Sequence, residues 1–305
     1  MKQIFALCAA LLLMASCAAA PTQDTARQEE RLTICATLFP QYDFARAVAG
    51  DRAEVTLLLP PGVESHSFEP TPADLARLTE SDLLFYTGDA MEPWVASLTD
   101  GVLPDTVRVV DLSEGIELLD GGEDGHDHGH AIDPHIWTSP INAMEMVRGV
   151  ADALCEADPE GETVYRANEE EYLDALSALD EQLREMVAQA QRRELAFGGR
   201  FAFHYLTEEY GLTAFSAYDS CSEETEPSAK AVAALVERIR QDQLPVIYYE
   251  ELTEPKVARS IAQETGASLL LLHSCHNLSK EEREAGETYL SLMQQNVEHL
   301  REGLC

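Results

Sequence analysis

Residues 159–193 read PEGETVYRANEEEYLDALSALDEQLREMVAQAQRR. Within them Tyr165, Tyr172, Leu176, Leu179, Leu183 and Val187 fall at helical spacing among many charged side chains, which predicts one long amphipathic helix. The pattern on either side is different. Before it, apolar runs at 32–38, 55–59, 83–86 and 107–112 have strand composition and are separated by helical stretches such as 74–79. After it, runs at 195–197, 212–215, 246–249 and 268–272 alternate with helical stretches at 201–210, 229–241 and 255–265. The expected fold class is α/β: two α/β lobes, each a small mostly parallel sheet flanked by helices, joined by one long linking helix. Expected bounds are 32–157 for the first lobe, 158–194 for the linking helix and 195–305 for the second lobe. One rigid helical joint permits small tilts rather than wide hinge closure.

The first 31 residues read differently. Met1-Lys2-Gln3 and the apolar run 4–14 form a signal peptide too short to span a bilayer. It ends in Met14-Ala15-Ser16-Cys17, which resembles the bacterial lipobox. Residues 1–17 are thus expected to be a lipoprotein signal, with Cys17 lipidated and 18–31 a flexible tether. The chain carries 55 acidic against 21 basic residues, a formal charge of -34, which repels a phosphate backbone and excludes nucleic-acid binding.

Chemistry concentrates in the nine histidines. His66 follows a predicted strand, in the loop Pro60-Pro61-Gly62-Val63-Glu64-Ser65-His66-Ser67-Phe68-Glu69-Pro70, where α/β lobes present ligands to a cleft. His135 lies in Asp133-Pro134-His135-Ile136-Trp137, with Asp133 placed to accept the ring N–H not used for a metal. His126, His128 and His130 lie in a glycine-rich loop, 121–130, that could capture an ion loosely while fixing none of its side chains.

These motifs are similar to those of the cluster A-I solute-binding proteins of zinc and manganese ABC importers. The segments that carry the resemblance are His66-Ser67-Phe68-Glu69-Pro70 and Asp133-Pro134-His135-Ile136-Trp137, with the histidine-rich loop just before the second, and the resemblance covers residues 32–305. It implies a metal site in the inter-lobe cleft and an extracytoplasmic protein, anchored through Cys17 to the outer face of the membrane or periplasmic. Such a protein hands Zn2+, or less readily Mn2+, to an ABC importer permease, and a monomer is expected. A zinc buffer or adhesin without a permease, and a zinc hydrolase, are the competing readings. The hydrolase lacks an H-E-x-x-H, G-x-S-x-G or P-loop pattern.

One departure stands out. The family's third ligand position corresponds to Arg200, whose guanidinium has no lone pair to offer. The resemblance matches the fourth position to His273 in Leu271-Leu272-His273-Ser274-Cys275-His276-Asn277. The expected ligand set is therefore His66, His135 and His273, with His204 or His276 as a possible fourth. Neutral imidazoles suit zinc better than manganese. They also imply that binding weakens as pH falls below the histidine range. The family's fold further implies a disulfide between Cys221 and Cys275, with a thiolate ligand as the alternative.

Overall fold

Among the described residues the parallel strands divide into two sheets of the same internal order. β1 (Leu32–Ala36), β2 (Ala53–Leu57), β3 (Leu83–Tyr86) and β4 (Arg108–Asp111) pair as β2-β1-β3-β4. β5 (Glu194–Phe197), β6 (Thr213–Ser216), β7 (Val246–Tyr249) and β8 (Ser268–Leu271) pair as β6-β5-β7-β8. The computed structural model describes residues 31–121, 132–218 and 227–305. The expected signal peptide, Cys17 and tether, the loop histidines His126, His128 and His130, and Cys221 lie outside the described residues, apart from Arg31 at the end of the tether.

The strands are apolar on both faces because helices cover both. In β3, Leu83, Leu84 and Phe85 are consecutive and all fully buried, as a central parallel strand requires. The helices are α1 (Phe39–Ala49), α2 (Pro72–Thr79), α3 (Trp94–Thr99), α4 (Pro140–Ala157), α5 (Glu162–Gln189), α6 (His204–Tyr210), α7 (Ala229–Gln241), α8 (Lys256–Thr265), α9 (Lys280–Ala285) and α10 (Tyr289–Leu304). Their ends follow local chemistry. α2 starts at a capping box between Thr71 and Asp74 with Pro72 in its first turn, and α6 stops at Gly211, whose φ of 62° a side chain would strain.

α5 is the linking helix, 28 residues and so about 42 Å long at 1.5 Å per residue. Its buried stripe contains Tyr165, Tyr172, Leu176, Leu179, Leu183 and Val187, the apolar positions of the sequence pattern, together with Glu169 and Met186. The turn before it is fixed by Asp158, which accepts hydrogen bonds from Tyr165 Oη at 2.6 Å and Arg52 Nε at 2.8 Å. α5 packs along α1 and α4 of the first lobe and along α10 of the second. One apolar core therefore runs from Ile34, Phe44 and Trp137 through Tyr172 and Leu176 to Phe197, Tyr248 and Val297. Prying the lobes apart would expose part of that core at about 25 cal/mol per Å². Buried Asp43 on α1 adds polar ties, accepting from Tyr172 Oη of α5 at 2.8 Å and from the Tyr289 N–H of α10 at 3.1 Å.

The loop after β8 belongs to the second lobe by sequence and to the first by hydrogen bonding. Asn277 Nδ2 donates to the carbonyls of Pro60 (2.7 Å) and Val63 (2.9 Å), and the Gly62 N–H donates to Leu278 O at 2.8 Å. Gly62 has φ 79°, so the β2–α2 loop depends on a glycine there. The Trp137 indole N–H closes the seam by donating to Ser274 O at 2.7 Å. Among the described residues no helix is long and apolar enough to cross a membrane.

Candidate metal centre

The carboxyl ends of both sheets face one cleft, as parallel α/β sheets favour. His66 follows β2, Arg200 follows β5, Glu250 and Glu251 follow β7, and His276 follows β8; all of these line the cleft together with His135, around a volume of about 200 Å³.

Three imidazoles meet there. His66, His135 and His276 offer ring nitrogens that all lie within 4.8 Å of one another. The Nε2 atoms of His66 and His135 are 3.3 Å apart. Two nitrogens bound to one tetrahedral zinc at about 2.05 Å would be separated by about 3.3–3.4 Å. The pair is thus already at ligand spacing.

Each inner ring is oriented from behind. Asp133 Oδ1 accepts from the backbone N–H of His135 at 2.8 Å and lies 2.6 Å from its Nδ1, which places the ring proton on Nδ1 and leaves the Nε2 lone pair facing His66. His276 is held through a relay: Glu251 accepts from the Ser274 N–H (2.8 Å) and Oγ (2.5 Å), and Ser274 Oγ is hydrogen-bonded to His276 Nδ1. The opposite nitrogen, His276 Nε2, is buried without a protein partner. A buried lone pair left unmatched costs roughly 1–3 kcal/mol, which a cation in the cleft would recover. Trp137 walls the cluster, its ring centroid 5.6 Å from that of His135 and 5.2 Å from that of His276.

Two of these rings, His66 and His276, are held below the ordinary imidazole range. Partial burial, then the neighbouring His135 and, more weakly, Arg200, lower the His66 pKa to about 4, outweighing the carboxylate of Glu64. Burial and the surrounding His135, His66 and Arg200 hold His276 well below the ordinary imidazole value. For Asp133, burial alone would raise the pKa, but hydrogen bonds from His135 and His204 reverse that and hold it below the usual carboxylate range.

His273, expected as a ligand, is elsewhere. Its Nδ1 accepts the Cys275 N–H at 2.9 Å and its Nε2 faces Glu282 Oε1 at 3.4 Å, while its backbone pairs with the Asn296 side chain of α10. The reason is the backbone at Cys275, whose φ of 61° turns the chain so that His276 re-enters the cleft. His204 also stays out of the cluster. It sits at the start of α6 with Nδ1 2.5 Å from Asp133 Oδ2, sharing that carboxylate with His135. Replacing His204 with alanine is expected to leave the metal stoichiometry unchanged and to weaken zinc binding by no more than about 10–100-fold, as an orienting contact would. A competition titration giving more than a hundredfold loss would restore it as a ligand.

Arg200 lies in the cleft with Nε donating to Glu250 Oε1 at 3.0 Å and one terminal nitrogen 3.9 Å from Glu64 Oε1. Burial lifts Glu250 to about 7, against the opposing pull of Arg200. Cys275 is a fully buried thiol turned into the core, 3.7 Å from His273 O, and the partner expected for it, Cys221, lies outside the described residues. The histidine-rich loop is described only at its base, where Asp120 and Ile132 bridge antiparallel and the Leu119 N–H donates to Tyr205 Oη at 3.0 Å. The sequence placed His276 only as an alternative fourth ligand and singled out neither Glu251 nor Ser274. Two histidines three residues apart carry no local pattern that separates them.

Known proteins are similar to this chain in sequence and fold. Residues 34–303 match the family model described as ZnuA, zinc-uptake complex component A, periplasmic. The chain is 34% identical over 310 residues to the high-affinity zinc uptake system protein ZnuA of Bacillus subtilis, covering 99% of this chain and 97% of that protein. It is 32% identical to the zinc-binding lipoprotein AdcA of Streptococcus pneumoniae, covering 99% of this chain and 61% of the longer relative. Among solved structures, the metal-dependent lipoprotein YcdH of Bacillus subtilis superposes with a TM-score of 0.80 at 35% identity, over 90% of this chain and 99% of that one. The Zn(II)-bound ZnuA-like domain of Streptococcus pneumoniae AdcA gives 0.78 at 32% identity, over 90% and 99% of the two chains. With its two like-ordered sheets and its histidine cluster in the cleft between them, this chain belongs to the ZnuA family.

Proposed function

We propose that the chain captures one zinc ion outside the cytoplasmic membrane, through His66, His135 and His276, and delivers it to an ABC importer permease. The observation that carries this reading is the convergence of three imidazoles, with an unmatched buried Nε2 on His276 and a ligand-like 3.3 Å spacing between His66 and His135. A nitrogen-only donor set favours zinc over manganese, which prefers oxygen. The names of the relatives in Bacillus subtilis and Streptococcus pneumoniae support the same cargo. The chain acts as a monomer held to the outer membrane face by lipid on Cys17, a reading supported by the lipobox-like Met14-Ala15-Ser16-Cys17. His126, His128 and His130 gather ions loosely ahead of the cleft.

The test is metal competition on the purified chain after chelation. One zinc ion per chain is expected, with manganese bound at least about a hundredfold more weakly, a difference of about 2.7 kcal/mol. Equal or tighter manganese binding, or no stoichiometric metal at all, would overturn the assignment.

A further inference from the structure

The cluster supplies three donors and stops. Among the described residues no carboxylate oxygen or thiolate joins His66, His135 and His276 within the 4.8 Å that relates their ring nitrogens. The carboxylates that line the cleft have partners already. Glu250 accepts from Arg200 Nε at 3.0 Å, and Glu251 accepts from the N–H and Oγ of Ser274. Glu64 Oε2 accepts from the N–H and Oγ of Ser67 at 3.0 and 3.3 Å. A zinc ion held by three imidazoles keeps a fourth tetrahedral position that no described side chain fills.

Arg200 decides what that ligand is. Its side chain is 12% exposed and lines the same cleft, yet it cannot itself coordinate. Glu250 and Glu64 offset part of the guanidinium charge, and a small anion placed between a bound dication and Arg200 attracts both. Guanidinium also matches the planar oxygen pair of a carboxylate in geometry. We propose that Arg200 makes metal capture anion-assisted, the fourth ligand being a small oxyanion of the carboxylate or bicarbonate class bound to the metal and salt-bridged to Arg200. This rests on the metal-capture reading above and adds an anion subsite to it.

Cobalt(II), whose visible bands report its coordination shell, tests this on the intact purified chain in a buffer of non-coordinating salt. Titration with acetate and with bicarbonate is expected to change the bands saturably and to tighten zinc binding, measured by chelator competition, by about tenfold or more. In Arg200→Met the response to both anions is lost while cobalt still binds, and Arg200→Lys keeps part of it. Bands and affinity that ignore both anions in the native chain, or an anion response unchanged in Arg200→Met, overturn the proposal. So does an anion-free cobalt spectrum that changes in Glu64→Gln or Glu250→Gln, because a protein carboxylate would then hold the fourth position. A chain that binds no cobalt and no zinc overturns the capture reading and this one with it. Metal binding without an anion effect overturns only this one.

Discussion

Replacing His276 with alanine is expected to weaken zinc binding on the order of a thousandfold, about 4 kcal/mol, because it removes one of three nitrogen donors. Folding stability should stay close to native, since the lost ring takes an unmatched buried nitrogen with it. The same substitution at His273 is expected to do the reverse. The Cys275 N–H would lose its acceptor in a buried setting, lowering stability by about 1–3 kcal/mol, while zinc affinity stays within about tenfold of native. Denaturant unfolding and chelator competition on the two variants separate the effects. If His273→Ala rather than His276→Ala abolishes binding, the ligand set described here is wrong.

The second large effect concerns pH. A metal must displace any proton on its ligands, and three imidazoles titrating near 6.5 would together cost about 500-fold in affinity between pH 6 and pH 5. Here the His66 pKa is lowered to about 4 and that of His276 lies well below the ordinary value. A lowered imidazole pKa means that the ring stays neutral further into acid, so protons compete for these two nitrogens only at lower pH. Affinity is therefore expected to fall by no more than about tenfold from pH 6 to pH 5, and steeply once the pH approaches 4. The expected weakening of binding below the histidine range is thereby concentrated at its acid end. Competition titrations at pH 7, 6, 5 and 4.5 check it, and a loss above a hundredfold between pH 6 and 5 would refute it.

Much of the fold was legible because its signals are local. The stripe from Tyr165 to Val187 identified α5, and the runs at 83–86 and 246–249 coincide with β3 and β7. His66 and His135 were legible for a similar reason, each sitting in a loop whose own residues, Gly62 for one and Asp133 for the other, set its geometry. His276 was not. Its position depends on a left-handed backbone at a cysteine and on bonds from Asn277 to a loop more than two hundred residues earlier in the chain, neither of which leaves a short-range trace. Helices α1, α4 and α10 were not read from the sequence, although α10 carries a one-sided stripe through Tyr289, Leu292, Met293, Asn296, Val297, Leu300 and Leu304.

The seam that fastens the β8–α9 loop to its neighbour across the cleft has a consequence for unloading. The loop is tied to both lobes: Asn277, Gly62 and Trp137 fasten it to the first, while Glu251 and Asn296 hold its Ser274 and its His273 backbone to the second. Swinging the second lobe aside would therefore strain the contacts that aim His276, so parting the lobes would loosen the hold of the three rings on the cargo.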